Sequence, residues 1–163
     1  MSTSAVRLSD LVKRYSSIIT EELGIDYLAS KILFYLFEQR VHQNNPEHSA
    51  YDIYKGMRSQ GKSLLALFGK AENITEKSVE KAIRDLLAMD FLRARPGTKK
   101  RKVSGRPAKY LYTLRNSREI MRLIEKRMRQ KKQLVFEVFA NLSEIEEAAG
   151  LTTQGGVVNG RNT

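Results

Sequence analysis

The chain is 163 residues long, 41% hydrophobic and 29% charged, enough apolar material for one cored domain, or for a domain plus an appended helix, and too much for a wholly disordered chain. It has no cysteine and two histidines, which excludes disulfides, thiolate zinc sites, cysteine nucleophiles and histidine-rich metal centres, so no metal and no cofactor is expected. Its 29 Lys and Arg exceed its 18 Asp and Glu, and the net charge of +11 favours a polyanionic partner such as nucleic acid.

No apolar run approaches the length of a membrane span, and residues 1–10 lack the apolar stretch of a secretory leader. A soluble, intracellular chain is expected. The first predicted element, Leu8 to Leu23, aligns Leu8, Leu11, Val12, Tyr15, Ile18, Ile19 and Leu23 on one helical stripe, with Ser9 or Asp10 to cap it and Gly24 to end it. Residues 26–43 are apolar around more of their circumference (Leu28, Ile32, Leu33, Phe34, Leu36, Phe37, Val41), as suits a central core helix, and Asn44, Asn45 and Pro46 stop it. Residues 49–57 and 63–68 read as two shorter helices around a loop at 58–62.

The sharpest local signal is Ile74-Thr75-Glu76-Lys77-Ser78-Val79. Thr75 can cap a helix there while Ile74 staples onto Val79. The helix runs to about Met89, with Val79, Ala82, Ile83, Leu86 and Leu87 inward and Glu76, Lys77, Ser78, Glu80, Lys81, Arg84 and Asp85 outward. Residues 91–95 and 109–114 alternate as two strands, and the intervening 96–108 holds two prolines and two glycines. This predicts a β-hairpin with a long basic tip.

Asn116 followed by Glu119 has the spacing of a capping box, and one long helix is predicted from there. Along it Ile120, Ile124, Met128, Lys131, Val135, Val138, Leu142 and Ile145 step by three and four, close to a coiled-coil seam with one lysine in it. Such a seam, and the stripe of Leu8 to Leu23, would be large exposed patches on terminal helices. They are expected to bury each other across a twofold axis, with Leu11, Tyr15, Ile18, Ile124, Met128, Val135, Val138 and Leu142 in the interface; the alternative is that both stripes fold back onto their own core in a monomer. Residues 150–163 have little to bury and are predicted to form a mobile tail. The expected organisation is thus an N-terminal dimerisation helix (1–25), a central domain (26–115), a C-terminal dimerisation helix (116–149) and that tail.

The charge is unevenly placed. Residues 93–132 hold sixteen basic residues and two acidic ones, Glu119 and Glu125, for +14, whereas the rest of the chain sums to −3. Such a segment repels itself unless an anion lies nearby, so it reads as an electrostatic footprint.

One motif competes. Gly56-Met-Arg-Ser-Gln-Gly61-Lys62-Ser63 spells a P-loop, and residues 86–90 can be spelled as the strand that ends in a magnesium-binding aspartate. A P-loop requires a buried strand before it and a substantial helix after it, in a parallel sheet. Neither is predicted here, and an interhelical loop is the simpler reading. His42 and His48 are off the spacing of a helical metal pair and are expected at the surface. Glu21-Glu22 and Glu146-Glu147 are expected on polar helix faces without burial, and Tyr27, Phe34, Tyr35, Phe37, Tyr51 and Tyr54 in the core. An effector pocket among these rings stays open, although no residue nominates a ligand. No enzymatic activity is expected. The basic run 99–103 also has the spelling of a nuclear localisation signal, which matters only in a eukaryotic host.

Over about residues 28–114, the order of helices, capped helix and basic hairpin resembles the winged helix-turn-helix domain of the MarR, GbsR and TrmB-like transcription regulators. Ile-Thr-Glu-Lys-Ser-Val-Glu-Lys-Ala-Ile-Arg-Asp-Leu-Leu-Ala-Met-Asp-Phe-Leu (residues 74–92) resembles that family's recognition helix and first wing strand, and Ser-Gly-Arg-Pro-Ala-Lys-Tyr-Leu-Tyr-Thr-Leu (104–114) is similar to the second. The resemblance implies a mainly α fold with a small β-hairpin, a capped helix in the major groove, a wing on phosphates or the minor groove, and outer helices that form a homodimer. Thr75, Lys77, Ser78, Lys81 and Arg84 are then the candidates on the recognition helix, since first-turn side chains reach base edges and Lys or Arg can donate to guanine. Lys99, Lys100, Arg101, Lys102, Arg106 and Lys109 are the candidates on the wing, where Arg106 suits a narrow minor groove. The expected function is a cytoplasmic, nucleoid-associated regulator that binds double-stranded DNA as a homodimer and represses by occluding a promoter. An RNA or ribosome partner is the alternative within nucleic-acid binding, and a small P-loop nucleotide binder the alternative outside it.

Overall fold

Gly24 and Asp26 part the first two helices. In the computed structural model, which describes residues 7–43, 47–59, 74–97, 110–127 and 133–151, α1 (Leu8–Leu23) stops where Gly24 turns left-handed at φ 70° and returns its amide to the Thr20 carbonyl. Asp26 then caps α2 (Tyr27–Gln43), its Oδ1 accepting the Ala29 amide at 2.8 Å. The start of α1 differs from expectation. Neither Ser9 nor Asp10 caps it; Arg7 is the N-cap residue without a side-chain bond, and the Leu8 amide donates instead to Glu38 of α2.

Residues 29–37 of α2 are all buried, and α1, β3 and two further helices pack against it, as the broad apolar circumference predicts. After it, β1 (Glu47–His48) is a short strand that the sequence reading did not include. In α3 (Ala50–Ser59) the Ser49 hydroxyl accepts the Asp52 amide at 3.0 Å and Asp52 accepts the Ser49 amide at 3.1 Å, a reciprocal cap. Arg58 and Ser59, expected in a loop, are helical; residues 63–68 lie outside the described ones.

Gly56 lies in α3 against the ring of the buried Tyr35. A Cβ there would sit 1.8 Å from Tyr35 Oη and 2.6 Å from Cζ. Gly56→Ala is therefore expected to lower stability by about 1–3 kcal/mol through overpacking, even though alanine is the better helix former by about 1 kcal/mol. Urea unfolding measures this, and a stabilised variant would show that the ring yields.

Helix α4 (Glu76–Ala88) is capped by Thr75, with Ile74 packed on the core and Val79 buried. It leads through a left-handed Asp90 (φ 66°) into β2 (Leu92–Pro96). β2 pairs antiparallel with β3 (Tyr110–Leu114) from Leu92↔Leu114 to Pro96↔Tyr110, and β1 adds to the other edge of β3, giving the order β1-β3-β2. The hairpin stands as expected, now in a three-stranded sheet.

The predicted long C-terminal helix is two helices. α5 (Ser117–Arg127) opens with the expected box, in which Asn116 Oδ1 accepts the Glu119 amide at 2.9 Å. α6 (Gln133–Ala148) packs back along it, so that Ser117 and Arg118 meet Glu146 and Glu147. The three-and-four spacing serves an antiparallel intrachain pair as well as a coiled coil between chains.

This corrects the interface assignment. Leu11, Tyr15, Ile124, Val135, Val138 and Leu142 are at most 8% exposed within one chain, and Ile18 is partly buried against the same cluster. They form a core continuous with that of α2, so they are not left for a second copy; Met128 lies outside the described residues. Among the described residues, no helix is long and apolar enough to cross a membrane.

Candidate nucleic-acid interface

The exposed face of α4 carries Lys77, Lys81 and Arg84, spaced four and three residues apart and hence on one stripe. Thr75 and Ser78 have another task. Thr75 Oγ1 accepts the Ser78 amide at 3.1 Å and Ser78 Oγ accepts the Thr75 amide at 3.0 Å, so both hydroxyls hold the helix start. Lys81 is flanked by carboxylates, 3.7 Å from Asp26 and 3.6 Å from Asp85 one turn on. Such exposed pairs contribute about 0–1 kcal/mol and are easily exchanged for another anion. Lys77 and Arg84 form no ion pair with another described residue.

At the far end of α4, Arg115 clamps the turn, its Nε donating to the Asp90 carbonyl at 2.7 Å and its Nη2 to Asp90 Oδ1 at 3.1 Å. That bond fixes how the helix meets the hairpin. Glu80, on the flank of α4, faces β3: burial raises the Tyr112 hydroxyl pKa above its usual value and the Glu80 charge raises it further. Tyr110 and Tyr112 lie with ring centroids 6.4 Å apart. The wing candidates Lys99, Lys100, Arg101, Lys102, Arg106 and Lys109 all lie outside the described residues.

The fold changes the reading of the basic segment. Arg93 pairs with Glu119 at 3.0 Å, Arg115 with Asp90 at 3.1 Å, Arg95 with Glu47, and Arg118 with Glu147. Three of these carboxylates come from outside residues 93–132. Part of the charge that was expected to need an external anion is thus neutralised within the chain. Hydrogen bonds from Arg95 hold the Glu47 carboxyl below its usual pKa.

The sequence reading missed two exposed cations on α3. On α3, which packs against α4, Lys55 Nζ lies 5.6 Å from the centre of the Tyr51 ring, and Arg58 lies over Tyr54 while donating to its hydroxyl at 2.9 Å. Each cation follows its tyrosine by four residues, a spacing that could have revealed them. Tyr54 is half-buried and packed against the core, whereas Tyr51 is half-buried outside that cluster and Tyr27 is exposed, not core residues as expected. His48 and Glu146 depart the other way. Both are buried, His48 beside Tyr35 in the sheet and Glu146 against Arg40.

The nucleotide-binding spelling meets a different backbone. Gly56 is helical, the residues before it are α3, Leu86 to Ala88 belong to α4, and Asp90 is held in a turn by Arg115. Neither spelled segment occurs as a strand; residues 60–63 lie outside the described ones. No family model matches this chain, and no curated protein and no solved structure matches it.

Proposed function

We propose that the chain binds double-stranded DNA as two paired copies and regulates transcription by occluding a promoter. The observation that carries this is the exposed Lys77, Lys81 and Arg84 stripe on a capped helix beside a hairpin whose tip sequence holds six cations. A helix of this width enters the major groove, where side chains of its first turns meet base edges. The hairpin tip supplies sequence-independent phosphate contacts.

Replacing Arg84 with alanine is expected to cost on the order of 1–3 kcal/mol on the preferred site and much less on random DNA, as for a base contact. Lys81→Ala should cost less than Arg84→Ala, because Asp26 and Asp85 compete for its ammonium. Binding isotherms on both duplexes decide this; equal losses on both would reassign Arg84 to the backbone. A gel shift of duplex DNA against structured RNA tests the partner. Preference for the RNA would overturn the DNA reading and favour an RNA or ribosome partner.

A further inference from the structure

Between the outer edges of α5 and α6 runs a groove of about 430 Å³. Its floor is apolar, formed by the half-buried Met121, Phe136 and Ala140. Over the Arg118 and Arg122 part its two walls have opposite sign. The α5 wall presents Arg118 and Arg122, while α6 has four glutamates and no Lys or Arg, and turns Glu144 and Glu147 to the groove. Glu125 lines the other end of the α5 wall. Arg118 and Glu147 pair across one end of the groove. Arg122 and Glu144 form no ion pair with another described residue.

The pair at the end sets the level of the rest. From Arg118, Arg122 lies four residues along α5, about 6 Å; from Glu147, Glu144 lies three residues back along α6, about 4.5 Å at the helical rise. Because the helices are antiparallel, both displacements point the same way. Arg122 and Glu144 are therefore nearly level on opposite walls. A twofold axis along the groove would lay α5 of one copy over α6 of the other without changing that level, so each Arg122 would face the other copy's Glu144.

We propose that this groove is the surface through which two copies of the chain pair. The occupant is a second copy because Arg122 and Glu144 complement each other under a twofold rotation, and such self-complementarity is the requirement of an isologous interface. The two apolar floors then cover each other in an antiparallel four-helix packing. The proposal deepens the two-copy part of the regulator reading and rests on that part alone; it uses none of the DNA contacts.

Charge reversal tests it with full-length chains. Arg122→Glu places like charges opposite Glu144 in every pair, and Glu144→Arg does the same opposite Arg122; each is expected to raise the dimer dissociation constant roughly tenfold or more. The double variant restores both contacts and should dimerise again. A mixture of the two single variants should pair with each other while each alone stays monomeric, a result that misfolding cannot produce. Sedimentation velocity at micromolar concentration reads the parent and these four samples, with circular dichroism confirming the helices. A monomeric parent would overturn both the two-copy reading and this surface. A dimeric parent whose single variants stay dimeric would overturn the surface and leave the two-copy reading standing. Dissociation without rescue in the double variant and the mixture would overturn the charge-complementary geometry. DNA binding is read separately by gel shift, so its failure is distinguishable from each of these.

Discussion

Replacing Glu146 with leucine is expected to cost about 3–5 kcal/mol of folding stability, as when one partner of a buried ion pair is removed. Glu146 is fully buried on α6, and its carboxylate accepts from Arg40 Nη2 at 3.0 Å, from the Ser117 amide at 3.0 Å and from the Ser117 hydroxyl at 3.1 Å. The Ser117 amide belongs to the first turn of α5, so Glu146 supplies from another helix the anionic acceptor that such amides lack. Arg40 in turn donates to the Leu114 and Arg115 carbonyls at the end of β3. One ion pair thereby joins α2, β3, α5 and α6.

Desolvation works against both partners. Burial raises the Glu146 pKa and lowers that of Arg40, and their mutual attraction opposes both shifts. Loss of the carboxylate would leave a buried guanidinium uncompensated. Arg40→Met together with Glu146→Leu removes both charges, so the pair of changes should cost less than the sum of the single ones by roughly 0.5–3 kcal/mol. It should still destabilise, because the Arg115 carbonyl and the Ser117 amide then lack partners, at about 1–3 kcal/mol each. Urea unfolding of the two single variants and the double variant gives the coupling. A Glu146→Leu loss below about 1 kcal/mol, the range of exposed pairs, or strict additivity would show that the network does not join these elements.

Elements whose signals are local were legible in the sequence. Thr75 and Ile74 announced α4, Asn116 and Glu119 announced α5, and the alternation before and after the Gly and Pro cluster announced β2 and β3. What failed depends on contacts across the chain. The acceptor for the start of α1 is Glu38, thirty residues away. β1 has only two residues and exists because β3 offers it an edge. A heptad-like spacing does not say whether the seam closes on the same chain, and the Arg40–Glu146 pair joins residues 106 positions apart. At the candidate site the outward stripe of α4 followed from helical geometry. The attachment of Lys81 to Asp26 did not, because Asp26 belongs to a turn that only the packing of α2 against α4 brings near.

The same pairing of charges locates the cations left for an anion, and this sets the expected effect of neutralising the hairpin tip. Arg93, Arg95, Arg115 and Arg118 are matched by Glu119, Glu47, Asp90 and Glu147. Within residues 93–132 the densest remaining run of cations is Lys99, Lys100, Arg101 and Lys102. On the regulator reading, two copies with about four phosphate contacts each give a slope of log K against log salt of roughly −7, since each contact contributes about 0.9. If half of those contacts come from the tips, replacing all four residues with alanine flattens the slope by roughly 3–4 units and weakens binding on the order of a thousandfold near ~0.1 M salt. The loss should be the same on the preferred site and on random duplexes, because phosphate contacts carry little sequence information. Titrations between about 50 and 200 mM salt measure the slope, the range over which such contacts are most visible. An unchanged slope would remove the tip from the interface, and a loss confined to one sequence would mean that these residues read bases instead.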